Sequence, residues 1–342
     1  MRAGIGAPRG EAPPADLDAD VPVLPRLCVC SHWVPRSGSS TTFLWERKEL
    51  VLFRTEAGVA GILDAHCPHL GANMAYGGCV VGETLRCPFH GFRFDKHGAC
   101  VASGYGLRPP PKAHARTWPI RERNGFILVY HHPNGEAPEW EVPDLDTKGW
   151  SPVLCHRFDV RGHPQETSEN SVDMGHFSEV HGYRSVAMIG EARVDGPHLG
   201  VTYHFDRFVG LGGRFGRTVA AEFDADLFGL GYSLVSLRLP AYGLRLRQWV
   251  LSTPSRSKHV DFRIAVSLDD LILAERVKPV LGLVPHSFLS HVVGQAVLRM
   301  FKRDVAQDFD IWKNKRYLPS PALAAGDGPV GLYRKWASQF YA

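Results

Sequence analysis

The sequence predicts an α+β protein of two domains, a small all-β domain followed by an antiparallel sheet covered by helices. Short apolar runs broken by Gly, Pro and Asn fill the first part of the chain, as in a small β domain. Long alternating runs flanked by helical patterns fill the second part. The length of 342 residues fits two domains with sizeable cores.

The N-terminal part divides into a leader and a β-rich domain. Residues 1–25 have neither the apolar run of a signal peptide nor a basic amphipathic pattern, so we expect a flexible leader. Three apolar runs predict strands of an all-β domain over 26–150: Leu50–Phe53, Val59–Leu63 and Phe126–Tyr130. The stretch Pro133–Trp150 has linker composition, and we place the domain boundary near residue 150.

The C-terminal domain, 151–342, begins with a helical pattern. Glu166–His181 lacks Pro and has apolar residues at helical spacing, and Thr167 or Ser168 can cap its start. Two further helical patterns close the chain, around 270–300 and from 302 to about 315. Between them, alternating segments predict a twisted antiparallel sheet: Val219–Phe228, Tyr232–Leu239, Leu244–Ser252 and His259–Val266.

Composition excludes several functional classes. The 39 Lys and Arg nearly balance 35 Asp and Glu, and no basic run interleaves with aromatics, so we expect no nucleic-acid partner. The most apolar stretch, Val277–Met300, is interrupted by Pro and His, which favours a buried or amphipathic helix over a transmembrane segment. Free thiols fit a reducing compartment, and we expect a cytoplasmic location.

The contents of Cys and His are the unusual feature of the composition, with 7 Cys and 17 His. The odd cysteine count excludes complete internal pairing, and His is the commonest transition-metal ligand. Cys67-Pro-His69 and Cys87-Pro-Phe-His90 are separated by 17 residues, and Pro and Gly let each loop fold around an ion. The set can hold one tetrahedral zinc ion, or a Rieske 2Fe-2S cluster with two thiolates on one iron and two imidazoles on the other. Because each loop supplies one Cys and one His, the spacing favours the cluster.

A second candidate site lies on the predicted helix, where His176 and His181 are five residues apart. Two His and a distant carboxylate form the facial triad of non-haem iron(II), which leaves coordination positions open. Both rings can face one ion only if the helix breaks or widens near Ser178. Isolated His pairs are more often structural, and the coexisting cluster motif favours the metal site. The zinc hydrolase signature His-Glu-x-x-His is missing.

The two cluster loops, with Gly71 and Gly91-Phe92 behind them, resemble the Rieske domain of Rieske non-haem iron oxygenases. The rest resembles the steroid-acting branch, with ketosteroid 9α-hydroxylase oxygenase components and the cholesterol desaturases of animals. That likeness rests on several segments: Trp118-Pro119, Glu122–Gly125, Pro138–Pro143, Glu169-Asn170, Asp173, His176-Phe177, Gln307–Lys313, Asp327–Val330 and Trp336–Tyr341. The amino-terminal membrane helix of the animal enzymes has no counterpart in this sequence.

The resemblance also selects the third ligand of the second site. Asp304, Asp308 and Asp310 compete for this role on the C-terminal helical pattern. The segment Gln307–Lys313 is similar to the Gln-Asp-x-x-Ile-Trp-Lys segment of the ketosteroid hydroxylases, and carrying it over selects Asp308. The implied metal ligands are thus Cys67, His69, Cys87 and His90 for the 2Fe-2S cluster and His176, His181 and Asp308 for Fe(II).

The resemblance implies further features of the enzyme. They are a Rieske domain with a C-terminal helix-grip catalytic domain, and a homotrimer in which the cluster of one protomer lies beside its neighbour's iron. Asp173 would bridge a cluster histidine and an iron histidine, with Asn170 as a second catalytic candidate. Alternatively, Asp173 is a helix N-terminal acid that the helix dipole stabilises.

The implied activity is that of a monooxygenase or desaturase acting on a bulky hydrophobic, steroid-like molecule with dioxygen. Electrons must come from a separate NAD(P)H-dependent reductase or ferredoxin, because no nicotinamide or flavin motif occurs in the chain. The alternative substrate is a polycyclic or aromatic secondary metabolite, including aromatic ethers that undergo O-demethylation. Rivals from other classes are an electron-transfer protein and a structural zinc protein. The strands of 201–266 and the segment 277–300 would wall the pocket, with these candidate liners: Phe208, Phe228, Trp249 and Phe288.

Overall fold

The computed structural model describes residues 27–28, 37–45, 48–132, 135–211, 215–269 and 286–341. The predicted leader 1–25 and the first part of Val277–Met300 lie outside these ranges. The α+β organisation predicted from the sequence is confirmed, with antiparallel sheets in both parts of the chain and, among the described residues, α-helices in the second part only.

The described residues of the N-terminal part form three small antiparallel sheets. Their strand orders are β2-β3-β4, β5-β6-β7-β8 and β1-β10-β9. The strand bounds are β1 Leu27–Cys28, β2 Ser39–Trp45, β3 Lys48–Arg54, β4 Ala60–Asp64, β5 Cys79–Val81, β6 Thr84–Arg86, β7 Arg93–Phe94, β8 Cys100–Ala102, β9 Ile120–Arg123 and β10 Phe126–Tyr130. The turn between β9 and β10 shows how the local sequence determines a hairpin. Asn124 and Gly125 both have positive φ, at 56° and 83°, as a tight Asn-Gly hairpin requires.

In the C-terminal part, the described residues form one eight-stranded sheet. Seven strands have the order β11-β18-β17-β16-β15-β14-β12, and the eighth, β13, pairs with β14. Alternate residues of β14 and β15 are buried, so one face packs on the core. The bounds are β11 Leu154–Arg161, β12 Arg184–Met188, β13 Arg193–Asp195, β14 His198–Leu211, β15 Phe215–Phe228, β16 Tyr232–Leu239, β17 Leu244–Arg256 and β18 His259–Leu268.

Five α-helices are described, and none is long and apolar enough to cross a membrane within the described part of the chain. Strand β10 packs against β16 and β17 through Phe126 and Trp249, whose rings lie 5.4 Å apart, so the third N-terminal sheet contacts the C-terminal one. The helix bounds are α1 Pro164–Glu169, α2 Met174–Glu179, α3 His286–Ala306, α4 Phe309–Asn314 and α5 Val330–Ala337. The boundary near residue 150 stays a prediction.

The single helix predicted over Glu166–His181 is wrong, because the segment forms two short helices. Helix α1 starts at Pro164, with His163 as its N-cap, so Thr167 and Ser168 lie inside the helix and do not cap it. Helix α2 starts after Asp173, whose Oδ1 accepts a hydrogen bond of 3.0 Å from the backbone N–H of His176.

The C-terminal helices also divide at a different place from the prediction. Helix α3 continues to Ala306, and the chain then turns at Gln307 and Asp308. Their backbone N–H groups donate to the carbonyls of Asp304 and Val305, three residues back, which tightens the last turn. Asp308 therefore occupies the N-cap position of α4, and its direction is set by this break.

Candidate metal centres

Two similar loops bring the four cluster residues together. Cys67 and His69 follow β4, and Cys87 and His90 follow β6. In each loop a glycine with positive φ donates its N–H to the cysteine carbonyl, at 2.9 Å for Gly71 and 3.2 Å for Gly91. The left-handed conformation at the glycine turns the backbone back and closes each loop.

The side chains of these loops form a compact donor set. The imidazole rings of His69 and His90 lie 4.8 Å apart, and His69 stacks on Phe92 at 4.4 Å. Both thiols are buried, and burial together with the neighbouring Cys87 raises the pKa of the Cys67 thiol to about 11. The Nδ1 of His69 is buried without a hydrogen-bond partner among the described residues. An orphaned imidazole nitrogen beside two facing thiols fits an iron–sulfur cluster.

A third segment, Ser103–Leu107, packs against the second loop. A side chain at Gly104 would place its Cβ 2.2 Å from the carbonyl oxygen of His90, so only glycine fits there. The ring of Tyr105 lies 6.0 Å from that of His90. Sequence reasoning missed both residues, because neither is a metal ligand type and they lie outside the Cys-His pattern.

The second donor set combines His176, His181 and Asp308, whose ligand atoms all lie within 4.8 Å of one another. The Nε2 of His176 is 3.0 Å from Oδ1 of Asp308, and the Nε2 of His181 is 3.7 Å from Oδ2. The three side chains are at most 9% exposed. Two imidazoles and one carboxylate directed at one point fit a mononuclear iron ion.

The end of helix α2 allows His176 and His181 to face each other although they are five residues apart. The helix ends at Glu179 with Val180 as its C-cap, so His181 lies beyond the helix and its ring approaches that of His176 to 4.4 Å. A break near Ser178 was expected on geometric grounds, and the chain leaves the helix just after that residue.

The three competing carboxylates have different surroundings. Asp304 forms a bidentate ion pair with Arg207, at 2.7 and 2.8 Å, and accepts a hydrogen bond of 3.4 Å from the Tyr183 hydroxyl. Asp310 is exposed on α4. Only Asp308 of the three joins the two histidines, because Arg207 on β14 already occupies both oxygens of Asp304.

Neighbouring side chains hold the histidine rings in place. The Nδ1 of His181 is 2.9 Å from Oε1 of Gln307, and the amide nitrogen of Asn170 is 3.3 Å from Nε2 of His176. Burial and the neighbouring His176 lower the pKa of His181, which favours the neutral ring that a metal requires. The Nδ1 of His176 is buried and unpartnered within the described ranges. Asp173 hydrogen-bonds the backbone of His176 in this single chain.

A cavity of about 350 Å³ opens onto the second donor set. Its walls come from the sheet and α3, as expected, but none of the four aromatic residues suggested as liners contributes. Phe208 and Phe288 are exposed, and Trp249 is buried in a separate core. The aromatic liners are instead Phe177, Tyr183, Phe205, Phe223, Phe262, Phe301 and Trp312. The alternation of buried and exposed residues along the strands could have identified the correct liners. Phe205 and Phe223 are at odd-numbered positions, like the buried hydrophobic residues of β14 and β15, whereas Phe208 and Phe228 are at even-numbered positions.

Comparison with known proteins agrees with both donor sets. Residues 26–107 match the Rieske [2Fe-2S] domain, and residues 129–341 match the 3-ketosteroid 9alpha-hydroxylase C-terminal domain. Cholesterol 7-desaturase nvd 1 of Ciona intestinalis is 33% identical over 94% of this chain and 69% of that protein. A probable 3-ketosteroid-9-alpha-monooxygenase oxygenase component of Rhodococcus rhodochrous is 32% identical over 85% of this chain and 73% of that protein.

A solved structure shares the fold. Dicamba monooxygenase has a TM-score of 0.65 at 19% identity, covering 94% of this chain and 98% of its own. The cofactors are a Rieske 2Fe-2S cluster and a mononuclear iron, and electrons come from a separate protein. With a family match over more than half its length, this chain belongs to the Rieske non-haem iron oxygenases, as an oxygenase component with the C-terminal domain of the 3-ketosteroid 9α-hydroxylases.

Proposed function

We propose that this oxygenase component hydroxylates or desaturates a bulky, fused-ring hydrophobic substrate of the steroid type. The observation that carries the proposal is the apolar cavity at His176, His181 and Asp308. The relatives named as a cholesterol desaturase and a ketosteroid monooxygenase support the same substrate class. The likeness to dicamba monooxygenase concerns the fold and does not favour the O-demethylase alternative.

The shape of the cavity fits an elongated molecule. Its liners on α3 run from Val293 to Val305, which at 1.5 Å per residue covers about 18 Å along the helix axis. The opposite wall is apolar, with these sheet residues: Val219, Ala221, Phe223, Val235, Leu237, Leu246 and Val250. Apart from the proposed iron ligand Asp308, the Arg and Asp liners occur as pairs, Arg207 with Asp304 and Arg245 with Asp269. A long apolar body with a few polar groups therefore suits the cavity.

We assign the metal ligands as follows. Cys67, His69, Cys87 and His90 hold the 2Fe-2S cluster, and His176, His181 and Asp308 hold Fe(II). Iron with two imidazoles and one carboxylate keeps open positions and supplies dioxygen activation beside a C–H bond. The protein's own residues bind and orient the substrate, and the apolar walls exclude water from the site. Gln307 orients the His181 ring through its Nδ1.

The surface around His69 and His90 supports a trimer in which this surface meets the catalytic domain of a neighbour. Apolar side chains close to the two histidines are strongly exposed, Leu70 at 65%, Phe89 at 62% and Tyr105 at 56%. Grouped exposure of this kind marks an interaction surface. The mass of the assembly in solution measures the number of copies. The cytoplasmic location stays a prediction.

Replacing Asp173 with Asn tests the proposed bridge between a neighbour's cluster and the iron. Asn caps a helix about as well as Asp, so α2 should remain folded while the charge is lost. We expect both metals to be retained and the reduced cluster to be reoxidised about 10- to 100-fold more slowly in a single turnover. Unchanged reoxidation would leave Asp173 with the capping role alone. Asp173→Ala, which also removes the cap, shows by its melting temperature what capping contributes.

Aerobic turnover tests the substrate class. The protein is supplied with a surrogate reductase and offered sterols, ketosteroids and aromatic alkaloids, and the products are identified by mass. We expect a fused-ring compound to gain one oxygen or lose two hydrogens. If no fused-ring compound turns over or perturbs the iron spectrum, the steroid-type proposal is wrong. O-demethylation of an aromatic alkaloid as the only turnover would establish the O-demethylase alternative.

A matched pair of variants ties any turnover to the cavity. Ala221 lines the cavity, whereas the adjacent Ala220 is exposed on the other face of β15. Ala221→Phe should raise KM for the fused-ring substrate and keep the spectra of both metals, and Ala220→Phe should change neither. Equal kinetics in the two variants would place the substrate elsewhere.

A further inference from the structure

A second, smaller pocket lies between β2 and β3 of the N-terminal part and β11 and β18 of the C-terminal sheet. Its volume is about 110 Å³, well above the ~15 Å³ that one water needs. It shares no lining residue with the large cavity. The lining residues are Thr41, Thr42, Phe43, Leu52, Arg157, Asp261 and Arg263.

The charges of this pocket do not balance. Arg157 and Arg263 are direct partners on neighbouring strands, where like charges repel. Asp261 pairs with both, at 3.0 Å to Nε of Arg157 and at 2.7 and 2.8 Å to Nε and Nη2 of Arg263. Among the described residues it is the only acidic liner, so two guanidinium groups share one carboxylate. The site therefore carries an excess positive charge.

The unpaired part of this charge is deeply buried. The Arg263 side chain is 4% exposed, and its Nη1 has no hydrogen-bond partner within the described part of the chain. A buried N–H group without an acceptor is costly, and the free edge of a guanidinium group matches an oxyanion in geometry. The Arg157 side chain is 59% exposed, so the pocket has a solvent-facing side.

We propose that this pocket binds a small tetrahedral oxyanion, of the size and charge of sulfate or phosphate. Its donors are Nη1 of Arg263, the terminal nitrogens of Arg157 and the hydroxyl of Thr41. Such a ligand neutralises the excess charge of the two arginines. Because it contacts strands of both parts of the chain, its binding stabilises their packing against each other.

Titration calorimetry of the holoprotein with sodium sulfate tests this proposal, at ionic strength held constant with chloride. We expect saturable binding of one sulfate per chain. Sulfate also stabilises proteins without binding, so melting temperature alone does not decide. A crystal soaked in selenate should show selenium anomalous signal at Arg263. Heat without saturation, or selenate bound only elsewhere, would overturn the proposal.

Variants separate the pocket from the general surface. Arg263→Lys removes the unpaired Nη1 while keeping a positive charge, and it should weaken sulfate binding at least about tenfold. If that variant fails to fold, Arg157→Gln provides the same test at a half-exposed position. Arg256→Gln is the matched control, since Arg256 pairs with Asp159 at the surface outside the pocket. Equal sulfate binding by all variants, or a partner chain's carboxylate seated on Arg263, would contradict the site.

Discussion

Replacing Asp308 with Ala is expected to remove the mononuclear iron and abolish turnover while the visible absorption of the cluster persists. Asp308 is the carboxylate that meets both histidines, and His176 and His181 alone supply two ligands. The variant should lose one of the three irons per chain. Retained red-brown colour shows that the N-terminal part is still folded around its cluster.

Asp310→Ala is the matched control for this experiment. Asp310 lies two residues away, is exposed on α4, and does not join the donor set. We expect full iron content and activity in this variant. The assignment of Asp308 would be wrong if its Ala variant kept all its iron and turned over substrate.

Replacing Cys87 with Ser is expected to abolish the visible absorption of the cluster and all reductase-driven turnover. Cys87 is 2% exposed in the same core as Cys67, and the two thiols interact. A hydroxyl is a poor substitute for a thiolate on iron. The variant should lose the two cluster irons and retain the iron held by His176, His181 and Asp308.

Cys100→Ser controls for the loss of a thiol in this region. Cys100 is a free, partly buried cysteine that packs on the same core and lies outside the two cluster loops. It should retain its colour and its acid-labile sulfide. If both variants keep the cluster, the ligand assignment fails. If both variants lose the cluster, the loss of colour reflects a destabilised core. The ligand assignment is then tested with His69→Ala and His90→Ala.

Local pattern explains why much of the fold could be predicted. The alternation of β15 to β18 is a property of neighbouring residues, and the predicted strands agree with the observed ones within a few residues. Helix boundaries were less predictable. Glu166–His181 has one continuous helical pattern, yet the Asp173 side chain starts a second helix there.

The pocket liners show a different limit. Phe205 and Phe208 are both aromatic and lie on the same strand, but only Phe205 faces the cavity. Strand parity distinguishes the two residues, whereas residue type alone does not. The pocket proposed to bind an oxyanion could not be predicted from the sequence, because Thr41 and Arg263 are 222 positions apart and neither belongs to a recognisable motif.

The sequence by itself determined the family and its two cofactors, and it predicted the donors of both metal sites. A Cys and a His in each of two short loops, and two His five residues apart, are local spacings that the chain carries in any conformation. The resemblance of Gln307–Lys313 selected Asp308 over Asp304, and only the tertiary structure shows the physical reason for that choice. The turn after Ala306 aims Asp308 at the histidines, and Arg207, distant in sequence, pairs with Asp304. Contacts between distant residues depend on how sheet and helix pack, which no local spacing encodes.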